Sequence, residues 1–359
     1  MHRIVLIDGS VDKDELIHPN RIGDIVLPSG IKPTSIGRSH ATTIARILEN
    51  LTDNYLLDNY AILQSDNSAD IQHLMQALEY CIEKNPDIVI ISLGSAQPVD
   101  GLDMYPLVRL LRSKGCVVFV AQSNNCLLTF PASFSEVITV QRDYSESLQP
   151  YSFYIETKHP LGVDITINCK KTLEKMLISY RNSFATPVVA ALYCNALNSE
   201  NQMEYQYKQS AFLGGKAWDI IRSKIKESMD TCHVCICSDE TNLSFSNQVL
   251  QELNYKMKVH CVGLYLEYEH EYFPCWMRIN IKTDLQKQVA FYETFCDCEL
   301  LLFHIPLKCL AKVTAQVNMD VLIRKGKSGS MVWKTEKFIE RCSSKSVSQT
   351  VKKIYELLT

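Results

Sequence analysis

The sequence has no stretch approaching the roughly 18 consecutive apolar residues of a membrane-spanning helix. No secretory signal is expected either. The opening Ile4-Val5-Leu6-Ile7 run is too short for a signal-peptide core, and no small-residue cleavage site follows it. Charge of one sign is not in excess: 37 basic against 40 acidic residues leave a net charge of −3. That balance excludes a nucleic-acid binder that works through bulk basicity. Internal repeats and low-complexity segments are also missing. These absences lead to the expectation of a cytoplasmic chain with neither nucleic acid nor membrane as a partner.

What is present is enough apolar material to build cores. The chain has 359 residues, 46% of them hydrophobic and 21% charged, which excludes wholesale disorder. At roughly 100–200 residues per domain, that length suggests two domains. The 14 cysteines are scattered through a long chain without a secretion signal, so reduced thiols are expected rather than a disulfide framework.

Short apolar runs at 4–7, 60–63, 87–91 and 116–121 read as buried strands. Between them, helical spacing appears over 40–51, 71–83 and 105–114, and a further helix over 185–197. Pro187 is placed near the start of that last helix, where its missing N–H costs little. Continuous apolar strands alternating with helices predict an α/β fold: a parallel sheet covered by helices on both faces. The polar stretch 198–202 is the best candidate for a boundary, giving domains 1–200 and 210–359. The second domain repeats the α/β pattern on a smaller scale, with strands near 234–237, 259–266, 300–303 and 321–323 and helices over 244–253 and 346–358.

Three residues stand where chemistry could sit. Asp8 follows a buried strand, and sites in open parallel sheets form at the carboxyl ends of strands; a turn or capping aspartate is the plainer alternative. His40 begins an amphipathic helix, and a single histidine there carries little weight. Ser183 lies at another helix start, where free N–H groups favour developing negative charge; an N-cap serine is the plainer alternative.

Taken together, the segments around these residues resemble the subtilisin-like serine proteases. Ser183-Phe184-Ala185-Thr186-Pro187 matches the second part of the family's Gly-Thr-Ser-X-Ala-(Thr/Ser)-Pro nucleophile motif. His40-Ala41-Thr42-Thr43-Ile44-Ala45 matches part of the histidine motif, and Ile7-Asp8-Gly9-Ser10-Val11-Asp12 is close to the aspartate motif. The order Asp, His, Ser is that of subtilisin. Ser92-Leu93-Gly94 is similar to the end of the family's substrate-binding strand. Ala121-Gln122-Ser123-Asn124 is similar to the segment that places the oxyanion-hole asparagine.

The resemblance implies a subtilisin-like parallel sheet over 1–200 and a serine endopeptidase with a triad of Asp8, His40 and Ser183. Asn124 would be the oxyanion donor, and Ser92, Leu93, Gly94, Ala121, Gln122, Ser123 and Arg181 would line the substrate site. It implies no cofactor and a peptide or protein substrate. Departures from the pattern are equally specific. Arg181-Asn182 replaces Gly-Thr before the nucleophile, and Ser123 replaces a glycine beside Asn124. These changes point to a narrow substrate range, for which precursor-peptide maturation would fit, and they keep open the alternative of a catalytically silent peptide-binding or scaffold relative. The catalytic strand begins within the first few residues, without the signal and prodomain of secreted members. That leaves a mature fragment or an intracellular form, and the cysteines favour the second.

The second domain carries no recognised motif. Cys232, Cys235, Cys237, Cys296, Cys298, His304 and Cys309 lack zinc-finger or ribbon spacing, and Cys235 and Cys237 alternate with Val234 and Ile236 as small apolar residues of a buried strand would. No metal is expected. The loop 238–242 lacks a Gly-Lys-Ser/Thr phosphate cradle, and Gly326-Lys327-Ser328 lacks its preceding glycine. A nucleotide-dependent regulator is therefore the weaker reading, and a substrate-recognition or homo-oligomerisation module the stronger.

Overall fold

The computed structural model describes residues 1–30, 39–64, 68–150, 152–155, 159, 161–196, 231–238, 243–257, 259–266, 275–282, 284–296, 298–326, 329–334, 342–344 and 346–358. The polar stretch 198–202, the loop residues 239–242 and Lys327-Ser328 lie outside them. The chain divides into two compact units, Met1–Thr157 with Val163–Ile225, and Lys158–Gly162 with Lys226–Thr359. Among the described residues no helix is long and apolar enough to cross a membrane.

The first unit is a mixed α/β structure with a parallel-dominated sheet flanked by helices, the class of fold that the sequence pattern and the resemblance lead one to expect. Its strands are β1 (His2–Asp8), β2 (Ile22–Val26), β3 (Tyr55–Ala61), β4 (Ile88–Ile91), β5 (Val117–Ala121), β6 (Ile138–Arg142), β7 (Phe153–Ile155) and β8 (Ile165–Ile167). They lie in the order β2-β3-β1-β4-β5-β6-β8-β7, and β7 alone of the eight runs antiparallel to its neighbour. β1 is therefore interior, paired with β3 on one side and β4 on the other. Its residues Ile4–Ile7 have no exposed surface, which is why the run reads as continuously apolar. The helices are α1 (His40–Leu51), α2 (Ile71–Lys84), α3 (Pro98–Ser113), α4 (Lys170–Lys175) and α5 (Asn182–Ala196).

Two helices start earlier than the periodicity implies, and each carries a proline in its interior. A proline ordinarily marks a first turn. Here Pro106 and Pro187 sit inside α3 and α5. Pro187 has no N–H to offer the carbonyl of Ser183, four residues back. The strand read at 60–63 instead runs from Tyr55 to Ala61, and its earlier part is hidden in the sequence because it carries two buried polar residues, Asp58 and Asn59. Both are satisfied there: Asp58 pairs with Arg3 at 2.7 Å, and the Asn59 amide bonds the carbonyls of Leu6 and Gly9 at 3.2 and 3.0 Å.

The second unit has its own sheet, in the order β11-β10-β12-β9-β13-β14-β15. These are β9 (Cys232–Ser238), β10 (Cys261–Leu266), β11 (Trp276–Ile279), β12 (Leu300–Pro306), β13 (Val321–Gly326), β14 (Gly329–Lys334) and β15 (Cys342–Ser344). The first five in that order are parallel, and β13, β14 and β15 form an antiparallel meander. The helices are α6 (Ser244–Gln251), α7 (Leu285–Phe295), α8 (Leu310–Thr314) and α9 (Val347–Leu358). Cys235 and Cys237 are buried in β9, and burial pushes the Cys235 thiol pKa well up. Such a thiol behaves as a small apolar side chain. Gly263 of β10 is required by packing, since a Cβ there would come within 2.3 Å of the Trp276 ring.

His304 of β12 is 1% exposed and its Nδ1 lies 2.7 Å from Ser246 Oγ of α6. Burial lowers its pKa to about 4 from 6.5. The unfolded chain therefore binds a proton here below pH 6.5 that the folded chain refuses until about pH 4. The stability that neutral His304 supports is complete above pH 6.5 and falls away as pH drops to about 4, by on the order of 3 kcal/mol. Urea unfolding of the full chain across pH 4–7.5 should show this loss in the wild type and a smaller one in His304→Gln. An equal loss in both would remove His304 as its source.

Candidate active site

The three chemically suggestive residues come from different elements and meet at the carboxyl edge of the first sheet. Asp8 is the last residue of β1, His40 the first of α1 and Ser183 the second of α5. His40 Nδ1 is 2.8 Å from Asp8 Oδ2, and His40 Nε2 is 2.9 Å from Ser183 Oγ. Asp8 has no exposed surface. Its carboxylate also accepts the Gly9 N–H at 2.6 Å and a short hydrogen bond from the Ser92 hydroxyl. A carboxylate has no proton to give, so Nδ1 carries the hydrogen and the Nε2 lone pair faces the serine.

Local sequence explains why the loops hold these positions. Ser39 caps α1, accepting the Thr42 N–H at 3.0 Å and donating to the Ser10 carbonyl at 2.6 Å. Thr42 accepts the Asp12 N–H at 2.8 Å, and Asn59 accepts that of Val11 at 2.9 Å. The turn after Asp8 is thereby stitched to both α1 and β3. Phe184, directly after Ser183, stacks on the His40 ring with centroids 4.7 Å apart and planes inclined by 29°. This contact covers one face of the imidazole, while the bond to the carboxylate lies in the ring plane, and the two together restrict the ring's rotation.

Helix α5 leaves one donor open beside the serine. The Asn182 N–H reaches Asn124 Oδ1 at 3.1 Å, and those of Phe184 and Ala185 reach the Arg181 carbonyl at 3.1 and 3.0 Å. Among the described residues the Ser183 N–H has no acceptor. Asn124 is exposed, and with Oδ1 engaged its amine is the remaining hydrogen-bonding arm.

The other anticipated residues are placed as follows. Ser92 follows β4 and its hydroxyl is on Asp8, so it braces the carboxylate. Leu93 is half-buried and Gly94 exposed. A Cβ on Gly94 would come within 2.7 Å of the Phe130 carbonyl, because the next residue, Ser95, pairs with Phe130 through two 2.8 Å backbone bonds. Ala121 ends β5, 8% exposed. The Gln122 side chain is 2% exposed and bonds the Leu127 carbonyl at 3.2 Å, so it anchors the loop after β5. Ser123 is half-buried and accepts the Asn125 N–H at 3.3 Å. Arg181 is exposed, and among the described residues no carboxylate pairs with it.

Sequence reasoning missed Asn182, Phe184, Tyr144, Asn59 and the bracing role of Ser92. Asn59 had a signal in hand, a polar residue inside an otherwise apolar strand. Asn182 stood out only as a departure from a motif.

Neither protein-family models nor curated proteins give a match to the chain. Solved structures do. The chain is similar to the crystal structure of a lanthipeptide protease, at 17% identity and a TM-score of 0.44 over 64% of this chain and 80% of that one. It is similar to the prenylagaramide maturation protease PagA at 16% identity, with a TM-score of 0.38 over 55% and 75% of the two chains. A cold adapted subtilisin-like serine proteinase is similar at 17% identity, with a TM-score of 0.40 over 55% and 76%.

Proposed function

We propose that the chain is a serine endopeptidase that cleaves peptide bonds through Asp8, His40 and Ser183 by way of an acyl-enzyme. One observation carries this reading: a single imidazole bridges a buried carboxylate at 2.8 Å and a serine hydroxyl at 2.9 Å. With Nδ1 donating to the carboxylate, Nε2 is left to accept the serine proton. In this reading His40 Nε2 takes the Ser183 proton as Oγ attacks the scissile carbonyl. Asp8 stabilises the imidazolium so formed. His40 then delivers the proton to the leaving amine, and a water repeats the sequence to release the acyl group. The open Ser183 N–H and the Asn124 amine would hold the tetrahedral oxyanion. No cofactor enters the scheme.

The substrate in this reading is narrow, such as a precursor peptide, in a cytoplasmic setting where a broad protease would be harmful. Arg181, exposed and without a carboxylate partner among the described residues, supports a preference for an acidic group near the scissile bond. The second unit belongs to the same reading as a substrate-recognition or self-association module.

A peptide library containing acidic and neutral members tests the proposal. Wild type should cleave, and Ser183→Ala should keep its fold and lose on the order of 10⁶ in turnover. Retention of peptide binding without any cleavage in wild type would instead favour the silent scaffold. Arg181→Gly should lose the acidic preference, and salt should weaken that preference in wild type because an exposed pair is screened. An unchanged profile in the folded variant would take substrate recognition away from Arg181.

A further inference from the structure

We infer that Asn182 is a positioning residue that sets the orientation of Asn124 and the start of the nucleophile helix together. The inference rests on the proposed peptidase reading. Asn182 has no exposed surface, and every hydrogen-bonding group it carries is engaged. Its side-chain amine shares its two N–H groups among three acceptors, the carbonyls of Gln122 at 2.9 Å and Ser123 at 3.2 Å and the Tyr144 hydroxyl at 2.8 Å. Its side-chain oxygen accepts the Arg142 N–H at 2.9 Å. One side chain thus ties the first residue of α5 to the segment after β5 and to the end of β6.

The same residue grips Asn124 from two directions. Its backbone N–H is 3.1 Å from Asn124 Oδ1. The Tyr144 hydroxyl, which accepts from Asn182, donates onward to the Asn124 carbonyl at 3.4 Å. Tyr144 is itself held, with the Arg142 guanidinium 4.2 Å above its ring. An Asn124 amide turned the other way would set its amine against the Asn182 N–H, donor against donor. The oxygen is therefore fixed toward Asn182 and the amine is left for the developing oxyanion. A threonine, the residue of the family motif, has one hydroxyl and could not bond both strand ends, Tyr144 and Arg142 at once. The departure that reads as drift in the sequence is a buried four-way anchor.

The role predicts an effect on turnover more than on substrate affinity, because an oxyanion donor acts mainly in the transition state. Asn182→Ser and Tyr144→Phe test it; the second removes one hydroxyl from a partly exposed side chain and leaves the packing in place. Each should lower kcat with KM nearly unchanged, by less than the roughly 10²–10³ expected for Asn124→Ala. In an Asn124→Ala background neither should cost appreciably more, since both act through the missing amide. In ¹⁵N-edited spectra the Asn124 side-chain amide should shift or broaden in both variants. Folded variants with wild-type kcat, or losses that multiply in full with Asn124→Ala, would overturn the inference. Absence of cleavage by the wild type would instead defeat the peptidase reading, and undiminished cleavage in Ser183→Ala would defeat Ser183 as the nucleophile; in either case the Asn124 amide signal would still judge the positioning role.

Discussion

A carboxylate with no exposed surface sits at the end of an interior strand, and the rest of the site is arranged around keeping it satisfied. Desolvating an ionised Asp8 is costly unless donors surround it. The donors here are the Gly9 N–H, the Ser92 hydroxyl and His40 Nδ1. The last of these orients an imidazole, and an imidazole held by one nitrogen presents the other to Ser183. The parallel sheet matters because it brings the ends of β1, β4 and β5 to one edge, where α1 and α5 begin. Residues separated by 32 and 143 positions thereby converge at that edge.

Much of this was legible in the residues. The apolar run Ile4–Ile7 ends at Asp8 because a fully buried strand needs no alternation, so the strand and its functional terminus could be read together. The helix beginning at His40 was legible through its Ile44, Ile47 and Leu48 stripe, all of which are buried. The cysteines of β9 were legible as strand packing because their neighbours alternate with them. What was hidden depends on contacts across the fold. Asn182 differs from the motif by one residue, and only the meeting of β5, β6 and α5 reveals that its amide fills a polar junction. Ser92 belongs to a motif for substrate binding, yet its hydroxyl is on Asp8, a partner 84 residues away. Pro187 misled in α5, since a residue that marks helix starts locally is tolerated internally when tertiary packing holds the helix.

In the proposed reading, specificity follows from the same departures. Arg181, the neighbour of Asn182, is exposed and has no carboxylate partner among the described residues. A permanent charge beside the proposed nucleophile would select substrates by attraction and repulsion alike. Together with Gln122 buried against Leu127, this describes a site in which loop geometry is maintained by internal polar anchors rather than by small residues. The second unit has its own sheet and its own buried core.

Covalent labelling with a fluorophosphonate, followed by peptide mapping, tests the central claim most directly. The reagent reacts with a serine hydroxyl only when a neighbouring base accepts its proton and an oxyanion site receives the phosphoryl oxygen. One adduct is expected, on Ser183 of the native chain, abolished by His40→Ala and by prior unfolding. A folded protein that takes up no label, or takes it up on a different serine, would contradict it.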